Sequence, residues 1–180
     1  MTSAAAHSPP ARHAADPAAV AALAIAAVAA ATLAGAWFFQ LVLDIRPCPL
    51  CLEQRYAYYL ALPLALLVAF AAARGAPRQV VLAGFAVLLL AALANAWLGG
   101  YHAGVEWKFW PGPDTCGTIQ ALPTNAADLV KQAEQAVVVR CDEAAWRFAG
   151  LSFAGWNVVA SIFAFAGALR AGVLALSARA

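Results

Sequence analysis

Long stretches without a charged residue divide the sequence into four apolar segments. Each stretch is 18 to 27 residues long and is rich in Ala, Leu, Val, Ile and Phe. An α-helix needs about 20 apolar residues to cross a hydrocarbon core of about 30 Å. A charge at mid-membrane costs about 2.5–3.5 kcal/mol. The pattern therefore predicts an all-α fold, a four-helix transmembrane bundle with spans at about 18–43, 55–73, 79–101 and 149–170.

The first two segments each allow a second interpretation. The first follows Arg12 and contains Ala34-Gly35-Ala36, as a cleavable secretory signal would. Its apolar run continues to Leu41, which favours a retained span. The second segment is short and contains Pro63, which a membrane helix tolerates near its first turns. We expect a disordered tail at residues 1–16, one membrane domain at 17–171 and a C-terminal tail at 172–180.

Four spans place the connecting segments on two opposite sides. One side has both termini and the turn from Arg74 to Arg78, and the other has loops at about 44–54 and 102–148. Lysine and arginine are similarly numerous on both sides, but they are more concentrated in the shorter segments of the first side. Because such charge close to span ends favours the cytoplasm, we expect both termini to be cytoplasmic.

The overall composition agrees with a membrane protein. The chain is 64% hydrophobic and 11% charged, with a mean hydropathy of +0.75, whereas soluble domains are about 45–50% apolar and about 25% charged. These values exclude a free globular enzyme. A net charge of +2 also argues against nucleic acid as a partner.

All four cysteines lie in the two loops of one side. Cys48 and Cys51 belong to the first loop, and Cys116 and Cys141 to the second. Disulfides persist in extracytoplasmic compartments, so the cysteine positions agree with the charge distribution. Four cysteines allow three pairings, and the residues alone leave these open.

The segment from Cys48 to Cys51 has the Cys-x-x-Cys spacing of redox sites. A disulfide within so tight a loop is strained and labile. Cys51 is placed at the start of the second span, where free amides and the helix dipole favour a thiolate. Arg55 lies four residues further on the same helix face, and an arginine at the lipid boundary is a candidate functional residue. Alternatively, its side chain reaches a phosphate headgroup.

Two cysteine pairs on one side favour a disulfide-exchange relay. The electrons then need an acceptor, and neither a nucleotide-binding motif nor a close histidine pair for haem is visible. A lipid-soluble quinone next to Cys51 remains. The alternative is a non-catalytic four-helix membrane protein with structural disulfides or a zinc site. Zinc is disfavoured because Cys116 and Cys141 are far apart in sequence.

The long loop contains two further predicted features. Residues 125–137 place apolar side chains on one face, which predicts a short amphipathic helix that lies on the membrane or packs on the bundle. His102, at the end of the third span, is a candidate to hydrogen-bond a quinone oxygen. The alternative is that it is a polar cap within an interfacial aromatic belt.

These residues together resemble the DsbB family, the quinone-dependent disulfide-forming enzymes of bacterial inner membranes. The resemblance covers nearly the whole chain beyond the tail. It is carried by Pro-Cys-Pro-Leu-Cys-Leu-Glu-Gln-Arg at 47–55, by the two later cysteines and by residues 141–152. The vitamin K epoxide reductase type is disfavoured, because the redox Cys-x-x-Cys of that family sits elsewhere in its bundle.

The resemblance implies a role for each candidate residue. Cys116 is attacked by the thiolate of a periplasmic DsbA-like oxidase, and Cys141 is its disulfide mate and passes the oxidation to Cys48. Cys51 then faces a quinone, either ubiquinone or menaquinone, with Arg55 and His102 at the quinone site. The cysteine loops would be periplasmic, and the other partners would be membrane lipid and the quinone pool. The N-terminal extension and loop details differ, so partner contacts are not carried over.

Overall fold

The computed structural model describes residues 16–114, 116 and 140–177, with side chains described up to residue 174. Four long helices make up most of this part: α1 Pro17–Leu41, α2 Pro49–Ala73, α3 Arg78–Glu106 and α4 Phe153–Ser177. All four are long and apolar enough to cross a membrane. The predicted all-α, four-helix architecture is confirmed.

The helices do not begin and end where the predicted spans do. α2 begins at Pro49 because proline suits the first position of a helix and Cys48 caps it. α3 continues through Glu106, and α4 begins at Phe153 and continues beyond residue 172, where a tail was expected. A stretch without charged residues predicts which part of a helix lies in lipid. The residues at which the helix itself begins and ends depend instead on local capping. The predicted amphipathic helix at 125–137 and residues 1–15 of the predicted tail lie outside the described residues.

The helices form a ring in which each packs on two neighbours. The neighbouring pairs are α3 with α4, α1 with α2, α2 with α3, and α1 with α4. Small residues permit close approach, as at Gly99, where a Cβ atom would lie 2.8 Å from Asn157 Nδ2. The outer surface exposes large apolar side chains, as expected of a lipid-facing surface: Leu41, Leu67, Leu90, Trp97 and Phe163.

A buried polar network joins three of the helices. The Tyr58 hydroxyl donates to Asn157 Oδ1 (2.7 Å), and Asn95 Nδ2 donates to the same oxygen (3.0 Å) and to Ser161 Oγ (3.1 Å). These contacts connect α2, α3 and α4 inside an otherwise apolar bundle. Hydrogen bonds of this kind stabilise helix association in lipid.

A small hairpin, which the sequence analysis did not predict, precedes α4. Strand β1 Arg147–Phe148 pairs with β2 Leu151–Ser152 in antiparallel fashion. The turn residues Ala149 and Gly150 both have positive φ, the requirement of a tight two-residue hairpin. Just before the hairpin, Trp146 packs against Phe39 of α1, with ring centroids 5.0 Å apart. The end of the long loop is thereby attached to the bundle.

Candidate functional site

Two free thiols occupy the start of α2. Cys48 is the N-cap residue, and its Sγ atom accepts a hydrogen bond from the backbone N–H of Cys51 (3.3 Å). The two Sγ atoms are 3.0 Å apart. The sequence analysis associated the free helix amides with the Cys51 sulfur, but the cap position belongs to Cys48. The reason is that α2 begins at Pro49, which makes the residue before it the cap.

The surroundings of Cys48 favour its thiolate. A hydrogen bond from the Cys51 thiol, together with the nearby His102 imidazole, lowers the pKa of Cys48 to about 5 although burial acts in the opposite direction. The acidic thiol predicted for Cys51 is therefore assigned to Cys48. A sulfur with a low pKa is also a good leaving group in disulfide exchange, so these surroundings stabilise Cys48 when a disulfide to it is broken.

His102 is almost completely buried and lies directly beside the thiols. Gln54 Nε2 is 2.8 Å from its Nδ1, and Cys48 Sγ is 3.6 Å from its Nε2. Two arrangements satisfy this contact: with the Gln54 amide nitrogen donating to Nδ1, the neutral ring has its proton on Nε2, next to Cys48; with the amide oxygen accepting from Nδ1–H, Nε2 is unprotonated. Glu106 Oε1 lies 3.8 Å from the same Nε2 atom. His102 thus belongs to the thiol site and is not an exposed polar cap.

Gln54 and Glu106 are site residues that the sequence analysis missed. Gln54 lies within the motif that carried the resemblance, one residue before Arg55, but no role was assigned to it. Glu106 was assigned to the loop because the third span was expected to end near residue 101. Glu106 comes four residues after His102, so the two side chains share a face if the helix continues. This spacing could have identified Glu106 as a site residue from the sequence.

Arg55 is buried and held against α1. Its Nη1 donates to Gln40 Oε1 (2.7 Å), and its guanidinium carbon lies 5.6 Å from the centroid of the Trp37 ring. A second, longer hydrogen bond reaches the Ala36 carbonyl (3.5 Å). With 9% of its surface exposed, the side chain does not fit the alternative in which it extends to a headgroup.

One cavity of about 410 Å³ brings four of the predicted site residues together. Cys48, Cys51, Arg55 and His102 all line it, and the rest of the lining is largely apolar: Ala31, Leu33, Ala36, Phe39, Phe153 and Ala160. All four helices contribute to its wall. A pocket that combines an apolar lining with a few polar groups is typical of small-molecule sites.

Cys116 and Cys141 form a disulfide, the pairing that the resemblance implied, with a Cα–Cα distance of 5.4 Å. Cys141 is 1% exposed and belongs to the same buried cluster as Cys48 and Val105. Cys116 is partly exposed and lines a surface depression of about 540 Å³. The second cysteine pair therefore has one accessible sulfur and one sulfur packed close to the first pair.

Ion pairs fix the segment that carries Cys141. Asp142 accepts hydrogen bonds from Lys108 and from Arg140. These cations hold the pKa of the Asp142 carboxyl well below its usual range. The contact joins residues on both sides of the long loop, next to the end of α3.

Comparison with known proteins agrees with this geometry. A family model described as "Disulfide bond formation protein DsbB" matches residues 18–171. "Disulfide bond formation protein B" of Azoarcus sp. is 32% identical over 145 residues, which cover 76% of this chain and 81% of that protein. "Disulfide bond formation protein B 1" of Pseudomonas fluorescens is 34% identical over 135 residues, covering 73% and 76% respectively. The chain therefore belongs to the DsbB family of disulfide bond formation proteins.

Proposed function

We propose that this protein is a thiol:quinone oxidoreductase that reoxidises a periplasmic DsbA-like dithiol oxidase. One observation carries the proposal: the buried sulfur of the Cys116–Cys141 disulfide shares a cluster with Cys48, and Cys48 and Cys51 line an apolar cavity with Arg55. Electrons can therefore enter at an accessible disulfide and leave at a site suited to a lipid-soluble acceptor.

The first half of the reaction is disulfide exchange. A thiolate of the reduced partner attacks Cys116 Sγ, and Cys141 leaves as a thiolate, because Cys116 is the more accessible sulfur. In the oxidised form of the membrane pair, Cys141 then attacks Cys48 and Cys51 leaves as a thiolate. The second thiol of the partner resolves the mixed disulfide at Cys116, which frees the Cys116 thiol. Cys116 then attacks Cys141 in its bond to Cys48, which restores the Cys116–Cys141 disulfide and releases Cys48. The net result is one disulfide in the partner and a Cys48–Cys51 dithiol.

The cavity beside the dithiol fits a quinone, either ubiquinone or menaquinone. Bound there, a quinone would accept two electrons and two protons. Arg55 supplies a positive charge that Gln40 holds in place, and its remaining N–H groups are donors for a carbonyl oxygen. His102 has its Nε2 atom 3.6 Å from Cys48 Sγ, where the ring can hold or release a proton. The apolar part of the lining suits the ring and tail of a quinone, and the charged side chains Arg46, Arg140 and Glu143 line the same cavity.

The proposed location is the bacterial inner membrane, with both termini cytoplasmic and both cysteine loops periplasmic. The charge distribution supports this orientation, and so does the placement of all four cysteines on one side, where disulfides persist. We assign one membrane domain to about residues 17–171, with an N-terminal tail before it and a C-terminal segment at 172–180 whose first part continues α4 to Ser177. Membrane lipid and the quinone pool are then its surroundings, and nucleic acid is not a partner.

The test is anaerobic mixing of the purified full chain with a reduced DsbA-like protein and a short-chain ubiquinone or menaquinone. We expect the quinone absorbance to fall in proportion to the partner oxidised. Cys51→Ser should abolish the reaction while the helical circular dichroism is unchanged. No absorbance change with either quinone would contradict the proposal, and unfolding of Cys51→Ser would favour the structural alternative.

Two arginine variants test whether the quinone binds in the cavity that Arg55 lines. Arg55→Met should raise the KM for the quinone by roughly 10- to 100-fold, since a hydrogen bond to a charged group contributes about 1.5–3 kcal/mol. Arg74→Met is the matched control, because Arg74 ends the same helix at the opposite side of the bundle. Equal effects of the two variants would remove Arg55 from the site.

A further inference from the structure

We propose that the reduced Cys48–Cys51 pair forms, with His102 and Glu106, a binding site for a soft divalent cation of the zinc type. The ion would hold the pair in its dithiol state. Binding itself is independent of the proposed function, whereas the resulting inhibition of electron transfer rests on it.

Three of the donor atoms already have the spacing of a metal site. The sulfur atoms of Cys48 and Cys51 and a ring nitrogen of His102 lie within 4.8 Å of one another. With zinc–sulfur bonds of about 2.3 Å and zinc–nitrogen bonds of about 2.0–2.1 Å, a tetrahedral site separates sulfur from nitrogen by about 3.5 Å. The observed distance from Cys48 Sγ to His102 Nε2 is 3.6 Å. The two sulfurs, now 3.0 Å apart, need only move to about 3.8 Å, which side-chain rotation at the helix start can provide.

Glu106 supplies an independent indication of a missing ligand. Its side chain is 4% exposed, and Oε1 lies 3.8 Å from His102 Nε2. Its other oxygen, Oε2, accepts no hydrogen bond within the part of the chain that the structure describes, although the Ser152 hydroxyl and the Arg147 charge lie near the carboxyl group. A buried carboxylate oxygen without a partner is costly, and a cation shared with the thiolates would satisfy it. The cluster with metal-site spacing comprises Cys48, Cys51 and His102, and Glu106 would become the fourth zinc donor by moving its carboxylate toward the two sulfurs.

Gln54 supports the histidine from the opposite side of the ring. Its amide lies 2.8 Å from His102 Nδ1. If the Gln54 amide is flipped by 180°, its Oε1 atom accepts a hydrogen bond from Nδ1–H of His102. The Nε2 atom is then unprotonated, and its lone pair is directed at the two thiols. Metal-binding histidines commonly have such a partner on the second nitrogen, which fixes the ring and its tautomer.

Binding is a proton exchange without electron transfer. The ion binds two thiolate sulfurs, and any thiol proton still present is released to solvent. The disulfide form offers no thiolate, so only the dithiol form binds. Two thiolates and one carboxylate leave a net negative charge around a divalent ion, and Arg55 on the same cavity wall offsets it. In the proposed electron path, the ion would stop the relay after the partner has been oxidised.

The test uses full-length protein with Cys116→Ser and Cys141→Ser, so that Cys48 and Cys51 are the only cysteines left of four. The reduced protein is titrated anaerobically with Co²⁺, and Zn²⁺ affinity is measured by competition with a chromophoric chelator. We expect one Co²⁺ per chain with sulfur-to-cobalt charge-transfer and tetrahedral d–d absorption, and no such bands in the disulfide form. Absence of these bands, or equal binding to the disulfide form, would overturn the proposal.

Variants outside the thiol pair test the complete donor set. Glu106→Gln should weaken Zn²⁺ binding, and Gln54→Leu should weaken it about 10- to 100-fold, as expected for a partner of a metal-binding histidine. Glu53→Gln, an exposed acid on the same helix, is the matched control and should have no effect. Unchanged affinity in both Glu106→Gln and Gln54→Leu would overturn the assigned site.

The same preparation separates this inference from the proposed function. Quinone reduction by the wild-type chain is measured without metal, then with Zn²⁺, then with excess chelator. Inhibition that the chelator reverses supports both conclusions. Metal binding without any quinone reduction contradicts the proposed function alone, and quinone reduction that saturating Zn²⁺ does not slow contradicts the inhibitory site.

Discussion

Cys48 shows how one residue acquires its chemistry from both local and distant sequence. Its neighbours Pro47 and Pro49 make it the cap of α2, which directs the Cys51 N–H at its sulfur. The imidazole beside it comes from a residue 54 positions later. Local sequence therefore supplies the redox pair and, through the Cys51 thiol, the largest contribution to the low pKa of Cys48, and the distant imidazole lowers that pKa further.

The acidity of Cys48 gives a direct pH prediction. In reduced, metal-free protein lacking Cys116 and Cys141, the thiolate absorbance should rise with a midpoint near pH 5. Because the pKa of Cys48 is lowered, its thiolate is present above that pH and disappears as the pH falls through it. His102→Gln should raise the midpoint, since it removes a stabilising neighbour. A wild-type midpoint near the ordinary thiol value of about 8.5 would contradict the assignment.

At the scale of single residues, the sequence predicted the reactive groups better than the residues that support them. The cysteines, Arg55 and His102 have distinctive chemistry at recognisable spacing. Gln40 and Gln54 have neither, because an amide can serve any polar contact. The roles of these two glutamines depend on which helices pack against each other. The pattern of apolar residues within α1 or α2 does not predict that packing.

At the scale of helices, polar contacts inside the bundle specify how α2, α3 and α4 fit together. The apolar pattern predicted that these helices exist, because lipid requires long runs without charge. It did not predict Asn95 and Asn157 as partners, since an uncharged amide hardly interrupts such a run. The charge-free stretch reaches Glu106, as α3 does, but the third span was predicted to end near residue 101, where the glycines and the aromatic belt begin.

Replacing Asn157 tests the contribution of this polar network. Asn157→Leu removes the acceptor shared by Tyr58 and Asn95. We expect the free energy of unfolding to fall by about 1–2 kcal/mol, since hydrogen bonds between membrane helices each contribute about 0.6 kcal/mol on average and up to about 1.7 kcal/mol. Reversible unfolding in mixed detergent micelles measures the change.

The control for this prediction is a substitution on the outer surface of the same helix. Phe163 is 69% exposed, so Phe163→Leu should leave the free energy of unfolding nearly unchanged. Equal free energies of unfolding for Asn157→Leu and Phe163→Leu would show that the buried polar network does not stabilise the packing of α4.

At the scale of the whole molecule, every reactive group lies at one end of the bundle. The α1–α2 connection and the start of α2 supply the thiols, the end of α3 supplies His102, and the segment before α4 carries Cys141. The sequence predicted this common side from charge and cysteine positions. It could not predict the cavity, because its wall combines residues from all four helices.

The orientation of the molecule is tested by the accessibility of single introduced cysteines in intact cells. Asp114→Cys lies on the side of the native cysteines, and Ala73→Cys lies at the end of α2 on the other side; both positions are exposed. In a chain whose four native cysteines are replaced by serine, a membrane-impermeant thiol reagent should label Asp114→Cys in intact spheroplasts and Ala73→Cys only after lysis. The reverse labelling pattern would contradict cytoplasmic termini.

The order of the helices along the chain has a consequence for biosynthesis. Cys48 is translated 54 residues before His102, which at about 5–20 residues per second is a delay of about 3–11 seconds. During that time the cysteines can emerge on their side of the membrane without the His102 imidazole, which adds to the effect of Cys51 on the pKa of Cys48. The cavity wall is completed only when α4 is inserted. The complete thiol site is therefore assembled in stages, first the Cys48–Cys51 pair, then His102 and finally the cavity wall that α4 closes.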